Sequence, residues 1–381
     1  MTSALLNLGF RPFYLLASLF AALAVPAWVA DLAGHPWAPG YLDGPAWHQH
    51  EMVFGFALAV IVGFLLTAAR VWTGRPTPSG LPLALLAAHW LAARVLMITG
   101  PGWLGALVDG AFPFVAAAVL ARVIVGARNT RNYFVPVLLA ALGASDVCFH
   151  LSSLGLIEAP AWLAAQAALY LIVVLLIVMA GRVVPAFTAS ALPQAKLRRS
   201  TALDRAALVL SVIALACALA GLGGWLTAAP AFAAAALHAA RQAGWAPFAT
   251  RGRPMLWILH LSHAWIAVGF VLLGLAAFGI VIGDAAVHAF AVGAVSGTIV
   301  GMITRTALGH TARPLVAGRA ETLAYVLVLA AALLRVAAAL VLEAYMPLVI
   351  ASAALWSAAF LVYFVVYAPR LARPRLDGKP G

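Results

Sequence analysis

Residues 47–74 read WHQHEMVFGFALAVIVGFLLTAARVWTG, and this stretch decides the class of the molecule. Met52 to Ala69 is almost wholly apolar. With a short lead-in it reaches the about 20 residues that a helix needs to cross a bilayer. His48, His50 and Glu51 stand at its mouth. Ionisable groups are costly in lipid, so those inside a span are functional candidates by default. Imidazole is also the commonest protein ligand of haem iron and copper. The mouth is therefore a metal site or a polar helix cap.

The rest of the chain repeats the apolar theme. Hydrophobic residues make up 65% of the 381, charged residues 9%, and mean hydropathy is +1.04, which excludes a soluble globular chain. Apolar runs recur from end to end and leave no room for an extramembrane domain, so residues 1–381 read as a single transmembrane domain. The expected fold is all-α, a polytopic integral membrane helix bundle of about twelve spans. They are 12–31, 47–69, 81–99, 103–126, 133–151, 160–182, 201–224, 225–241, 255–280, 284–308, 321–343 and 345–368. The eighth is the weakest, because Leu226 to Ala240 is short and rich in alanine. Met1 to Leu8 carries no basic residue, so the first run reads as a retained span and not a signal peptide. Cys148 and Cys217 lie far apart in apolar runs, with no CxxC or CxxCH, which excludes a zinc ribbon and covalently attached c-type haem.

The charges set an orientation. Arg11, the pair Arg70 and Arg75, the group Arg122 to Arg131, the group Arg182 to Arg205, Arg241 to Arg253, Arg305 to Arg319 and Arg370 to Lys379 fall at alternate span ends. The opposite connections, around Asp31, Asp43, Glu158, Asp284 and Glu343, carry acids and no lysine or arginine. That is the positive-inside pattern, with both termini cytoplasmic. The formal net charge of +12 is thus a topology signal and does not call for a nucleic-acid partner. Arg94 and Arg335 break the pattern by lying inside spans, in the half that also holds Glu51, Asp109 and Asp146. They form buried ion pairs with such acids, or they hold the propionates of a haem.

The ten histidines sort by depth. His48, His50, His150 and His288 fall near outer span ends, whereas His260, His263 and His310 fall near inner ends. His89 is near mid-membrane, and His35 and His238 read as ordinary satisfied side chains. At about 1.5 Å rise per residue, His288 and Arg305 are on the order of 25 Å apart. His288 and His310 therefore cannot serve one metal, and two sites are implied if both bind. His48 and His50 point to faces about 200° apart on a helix, so His50, deeper in the span, is the first choice as ligand and His48 a neighbour. His260 and His263 share a face. Gly293, Gly297 and Gly301 make a smooth stripe, suited to close helix packing or to a flat haem face. Pro185 in GRVVPAFT (181–188) stops or kinks the sixth span.

The sequence resembles the NnrS family of haem- and copper-containing membrane proteins linked to nitric oxide metabolism in denitrifying and other bacteria. The matching pieces are FRPFYLLA (10–17), WHQHEMVFGF (47–56), GFLLTA (63–68) with WTGR (72–75), GRVVPAFT (181–188), LWILHLSHAWIAVG (256–269) and HAFAVGAVSGTIVGMITRTALGHTARPL (288–315). Val71 stands where the family commonly has asparagine, and His263 where it commonly has tyrosine, so no ligand role passes to His263. The resemblance implies haem b and copper, nitric oxide as ligand or substrate, and the bacterial inner (cytoplasmic) membrane. The cofactor-binding candidates are His48, His50, His288, Arg94, Arg335, His260, His310 and Arg305. The metal-ligand candidates are His48, His50, His288, His260, His310, His150 and His89.

Nitric oxide is apolar and partitions into the bilayer, so an intramembrane metal meets it without a channel. The leading expectation is a protein that binds nitric oxide, and as an enzyme reduces it, in denitrification or nitrosative-stress protection. Such an oxidoreductase needs protons, for which Glu51 is the candidate carrier, and electrons from quinol or a protein donor. The alternatives are a transporter or channel, and a metal or haem assembly and repair factor. Against the transporter, no inverted repeat is evident and the charges gather at span ends.

Overall fold

A computed structural model of the chain describes residues 4–36 and 40–379. All regular elements among them are helical. The twelve long helices are α1 (Phe10–Leu32), α2 (Gly44–Thr73), α3 (Leu81–Thr99), α4 (Gly102–Gly126), α5 (Phe134–Ser153), α6 (Ala161–Ala191), α7 (Thr201–Leu219), α8 (Trp225–Ala243), α9 (Pro254–Ala277), α10 (Gly283–His310), α11 (Arg319–Leu340) and α12 (Tyr345–Leu371). Eleven of these are long and apolar enough to cross a bilayer, and α8 is the exception among the described residues. Alanine contributes little apolar surface, and Pro230, His238 and Arg241 interrupt α8 further. The chain is a multi-pass membrane protein.

Two boundaries differ instructively from expectation. α2 starts at Gly44, ahead of the histidines, because Asp43 caps it by accepting from the Ala46 N–H at 2.7 Å, with Pro45 in the first turn. α6 runs through Pro185 to Ala191 and does not stop. Proline lacks the N–H that would serve the Gly181 carbonyl; Arg199 Nη2 donates to that carbonyl at 3.4 Å instead.

The chain divides into two compact units. The first comprises the described residues of Met1–Ala168, Arg305–Pro314 and Phe360–Gly381. In it α1 lies close along α2: a methyl at Gly63 would come within 2.7 Å of Phe13 Cβ, and Phe10 N–H donates to Thr67 Oγ1 at 3.0 Å. Phe10, Phe13, Tyr14, Phe54, Phe112 and Phe149 are buried around this seam. Arg11 is fully buried too, and its Nη1 donates to the carbonyls of Leu371 at 2.7 Å and Arg373 at 2.8 Å. Carbonyls at a helix C-terminus have no intrahelical donor, and a guanidinium satisfies them.

The second unit comprises Leu169–Thr304 and Leu315–Ala359. There α7, α8 and α9 pack in succession and α10 packs on α9 and α11. The glycine stripe of α10 is a packing face: Gly293 meets the Trp265 ring, Gly297 meets Ser262, and Gly301 meets Leu259 and Ile258, all from α9. No bare haem-facing surface remains along it.

α2 and α10 share an irregularity. Residues Glu51–Ala57 of the one and Ala289–Ser296 of the other are π-helical. Each segment starts directly after a histidine, His50 and His288. Both helices carry the spacing His-x4-Gly-x5-Ile-Val-Gly, at His50, Gly55 and Ile61–Gly63 and at His288, Gly293 and Ile299–Gly301. The same local sequence thus recurs with the same local structure.

Candidate metal centre

α2, α3, α4 and α5 each bring one or two ionisable side chains to a common level in the first unit. His50 and Glu51 come from α2, Arg94 from α3, Asp109 from α4, and Asp146 and His150 from one face of α5. All six are buried. His48 and His50 do diverge: the His48 ring stacks on Trp28 of α1 with centroids 3.9 Å apart, whereas His50 turns toward α4 and α5.

Four donor atoms converge. His50 Nε2 lies 2.9 Å from Asp109 Oδ2 and 3.1 Å from Asp146 Oδ1. His150 Nε2 lies 3.3 Å from the same two oxygens. One donor atom from each of the four residues falls within 4.8 Å of every other, the spacing of ligands around a single ion. The outer ring nitrogens are also engaged. Nδ1 of His50 lies 3.2 Å from Glu51 Oε1, and Nδ1 of His150 lies 2.5 Å from the Tyr41 hydroxyl. A metal-bound histidine characteristically has its second nitrogen held by an oxygen in this way, which fixes the ring and its tautomer. Burial, followed by the charges of Asp109, Asp146 and Glu51, pushes the Tyr41 hydroxyl well above the ordinary tyrosine range, so it keeps its proton.

Charge balance makes the argument sharper. Arg94 donates through Nη1 to Glu51 and through Nη2 to Asp109. Three carboxylates therefore share one guanidinium and two imidazoles in a buried place. Asp146 Oδ2 is buried and has no hydrogen-bond partner. An unpartnered carboxylate oxygen away from water is expensive, and a divalent cation among the four donors would satisfy it. The donor set of two imidazoles and two carboxylates, without sulfur, suits Cu(II), Zn(II) or Fe(II) better than Cu(I). It does not suit haem. A porphyrin set between the two imidazoles would have to pass through the space that Asp109 Oδ2 and Asp146 Oδ1 fill.

The sequence model of the family described as NnrS protein matches residues 4–375. The chain belongs to the NnrS family. No curated protein matches it.

The remaining candidates of this NnrS-family chain are not members of the four-residue cluster. In the second unit, His288 Nδ1 lies 2.9 Å from the Asp284 carbonyl and 3.1 Å from Asp284 Oδ1. Arg335 Nη2 donates to Asp284 Oδ2 at 2.9 Å, and its Nη1 is buried without a hydrogen bond. His260 Nε2 lies 3.0 Å from Thr188 Oγ1, with Nδ1 buried and unbonded. His263 beside it is buried against Trp245, ring centroids 4.6 Å apart. His310 and Arg305 belong to the first unit, where the His310 ring lies 5.6 Å from that of Phe10. His89 Nε2 is 2.7 Å from the Val108 carbonyl, an ordinary satisfied histidine. His238 is likewise satisfied, by Ser211 at 2.9 Å and Arg241 at 3.2 Å, and His35 is exposed.

Asp109, Asp146 and Tyr41 are the members of the cluster that reading the sequence for ligands passes over. The two aspartates carry the usual signal of an acid inside an apolar span, but a nearby arginine explains them equally well until the count of charges is known. Tyr41, in the connection before α2, carries no signal.

Proposed function

We propose that the chain is a metalloprotein of nitric oxide metabolism, with a divalent ion held by His50, His150, Asp109 and Asp146. The single observation that supports this reading most is the convergence of four buried donor atoms, two imidazole nitrogens and two carboxylate oxygens. Among divalent ions, copper has the highest affinity for such a nitrogen and oxygen set, in keeping with the family. A bound copper would supply a one-electron couple and a site at which nitric oxide binds. Glu51 and Tyr41 hold the two imidazoles so that each Nε2 would face the ion. With an ion at His150 Nε2, Nδ1 would carry the proton and donate it to the Tyr41 oxygen. Arg94 holds Asp109 and Glu51 in place by charge. The buried phenylalanines Phe54 and Phe149 beside His50, with ring centroids at 5.2 and 5.0 Å, keep water away and leave an apolar approach suited to nitric oxide.

Haem b, which the resemblance implies, would be held elsewhere. His288, whose Nδ1 is held by Asp284, would offer Nε2 to its iron, and Arg335 Nη1 is a buried donor suited to a propionate. The protein then resides in the bacterial inner membrane and draws electrons from quinol or a protein donor.

The test is to purify the protein in detergent, measure copper and haem per chain, and follow nitric oxide with an electrode under a chemical reductant. The expected result is one copper lost in His50→Ala and His150→Ala, with the haem absorbance kept. His288→Ala loses the haem and keeps the copper. Bound metal without consumption of nitric oxide leaves binding or sensing as the function, and absence of both metals overturns the reading.

A further inference from the structure

The second unit contains a cavity of about 200 Å³ between the C-terminal half of α6, the start of α7 and the end of α8. Its polar wall is made of Arg182, Arg199, Arg205, Arg241, Asp204 and Thr201. Four arginines face one aspartate, an excess of three positive charges. Asp204 is committed, because its Oδ1 accepts from Arg241 Nε at 2.7 Å. Arg241 is buried, lies over the Trp245 ring at 5.2 Å, and has its Nη2 against the bare backbone of Gly181. It is a fixed wall of the cavity. Arg199 reaches in from the connection after α6, and its Nη2 donates to the same Gly181, at the carbonyl that Pro185 leaves free. The first turn of α7 also borders the space, with Ser200 as its cap. Unsatisfied N–H groups and the helix dipole there favour an anion. The apolar lining, Ile177, Val178 and Leu208, stands about one turn along α6 and α7 from the arginines of those helices.

We propose that this cavity binds the phosphate group of an anionic ligand, with Arg199 and Arg205 as its exposed donors and Arg241 with the start of α7 as its buried frame. Arginine forks match phosphate oxygens better than any other side chain. At about 200 Å³ the space takes a phosphate and its first ester carbons, and it is smaller than the about 300 Å³ at which pockets for drug-sized ligands begin. Cations at one level and aliphatic side chains one turn along the same helices suit a phosphodiester whose carbon chain leaves along α6 and α7. A phospholipid headgroup and a soluble phosphate compound offer the same chemistry, and the experiment separates them.

The experiment uses the full-length protein in a neutral detergent and follows its melting temperature against inorganic phosphate, dihexanoyl phosphatidylglycerol and dihexanoyl phosphatidylcholine, with sodium chloride at matched ionic strength. The proposal expects a saturable rise with at least one of the phosphate and phosphatidylglycerol probes. Arg199→Gln/Arg205→Gln should weaken that apparent affinity about tenfold or more, as loss of charge-assisted hydrogen bonds does. Both residues are exposed, so the unliganded melting temperature of the variant serves as the folding control. Arg205→Gln alone, which leaves the Gly181 carbonyl contact intact, should give a smaller loss. A response to phosphatidylglycerol without one to inorganic phosphate assigns the site to a lipid headgroup, and the reverse assigns it to a soluble compound. The proposal is overturned by the absence of any saturable rise, by an equal rise with chloride, or by an undiminished rise in the double variant.

Discussion

Asp146 Oδ1 lies 3.3 Å from His150 Nε2, one turn earlier on the same helix, while the second oxygen of that carboxylate is buried with no partner. A divalent cation at the cluster would complete this half-satisfied acid. Asp146→Asn removes a buried carboxylate charge whose second oxygen has no partner. It should abolish binding of a divalent ion while raising the melting temperature of the metal-free protein. In the parent protein, ion at a hundredfold excess over Kd adds about 2.7 kcal/mol of stability, and the variant should show no such shift. Thermal melts with and without copper, before and after chelation, check both signs.

Glu51→Gln separates two roles for one residue. If Glu51 orients His50, the variant should bind copper about 10–100-fold more weakly, as loss of a partner to a metal-bound histidine does. If Glu51 carries protons, copper content stays at the parent level and nitric oxide consumption falls. Copper titration beside electrode traces decides between them.

Arg94 bridges Glu51 and Asp109. Arg94→Met leaves both acids buried without their counter-charge and should destabilise the fold by about 3–5 kcal/mol, the usual consequence of removing one partner of a buried pair. Gly55→Ala should act in the same direction with a smaller effect, about 1–3 kcal/mol. A methyl there would run into the Glu51 carboxylate and Arg94 Nη1, and would come within 2.9 Å of Phe20. Detergent-denaturation curves of the three proteins give the ranking.

Arg11 ties the last turn of α12 through the carbonyls of Leu371 and Arg373. Arg11→Met should release that end, because each bond from a charged donor is worth about 1.5–3 kcal/mol. Trypsin cleavage after Arg370 and Arg375 should become markedly faster, with the rest of the chain protected, as seen by mass spectrometry.

The twelve helices could be read from hydropathy, and their number follows from physics that acts on single segments. α8 escaped the apolar criterion for the reason that made it doubtful in the sequence, its alanine. The course of α6 through Pro185 could not be read, since the remedy for the missing N–H comes from Arg199 in the next segment. His50 stood out because an imidazole in a span is conspicuous, and the divergence of His48 follows from helical spacing. The partnership of His50 with Asp109 and Asp146 depends on which helices are neighbours, and periodicity within a helix does not carry that. The glycine stripe of α10 could be read as small, but only the Trp265 and Leu259 side chains opposite it show what it is small for.

The π segment after His50 has a further consequence. It holds one more residue than α-helical winding would place in the same rise, so the ends of α2 keep the phase of a regular helix one residue shorter. Deleting one residue, Val53 for instance, would let the helix rewind as regular α and leave His50 facing the carboxylates of α4 and α5. Only the side chains within the segment would be re-aimed. A relative one residue shorter between His50 and Gly63 can therefore hold the same four side chains together on an unbroken α-helix.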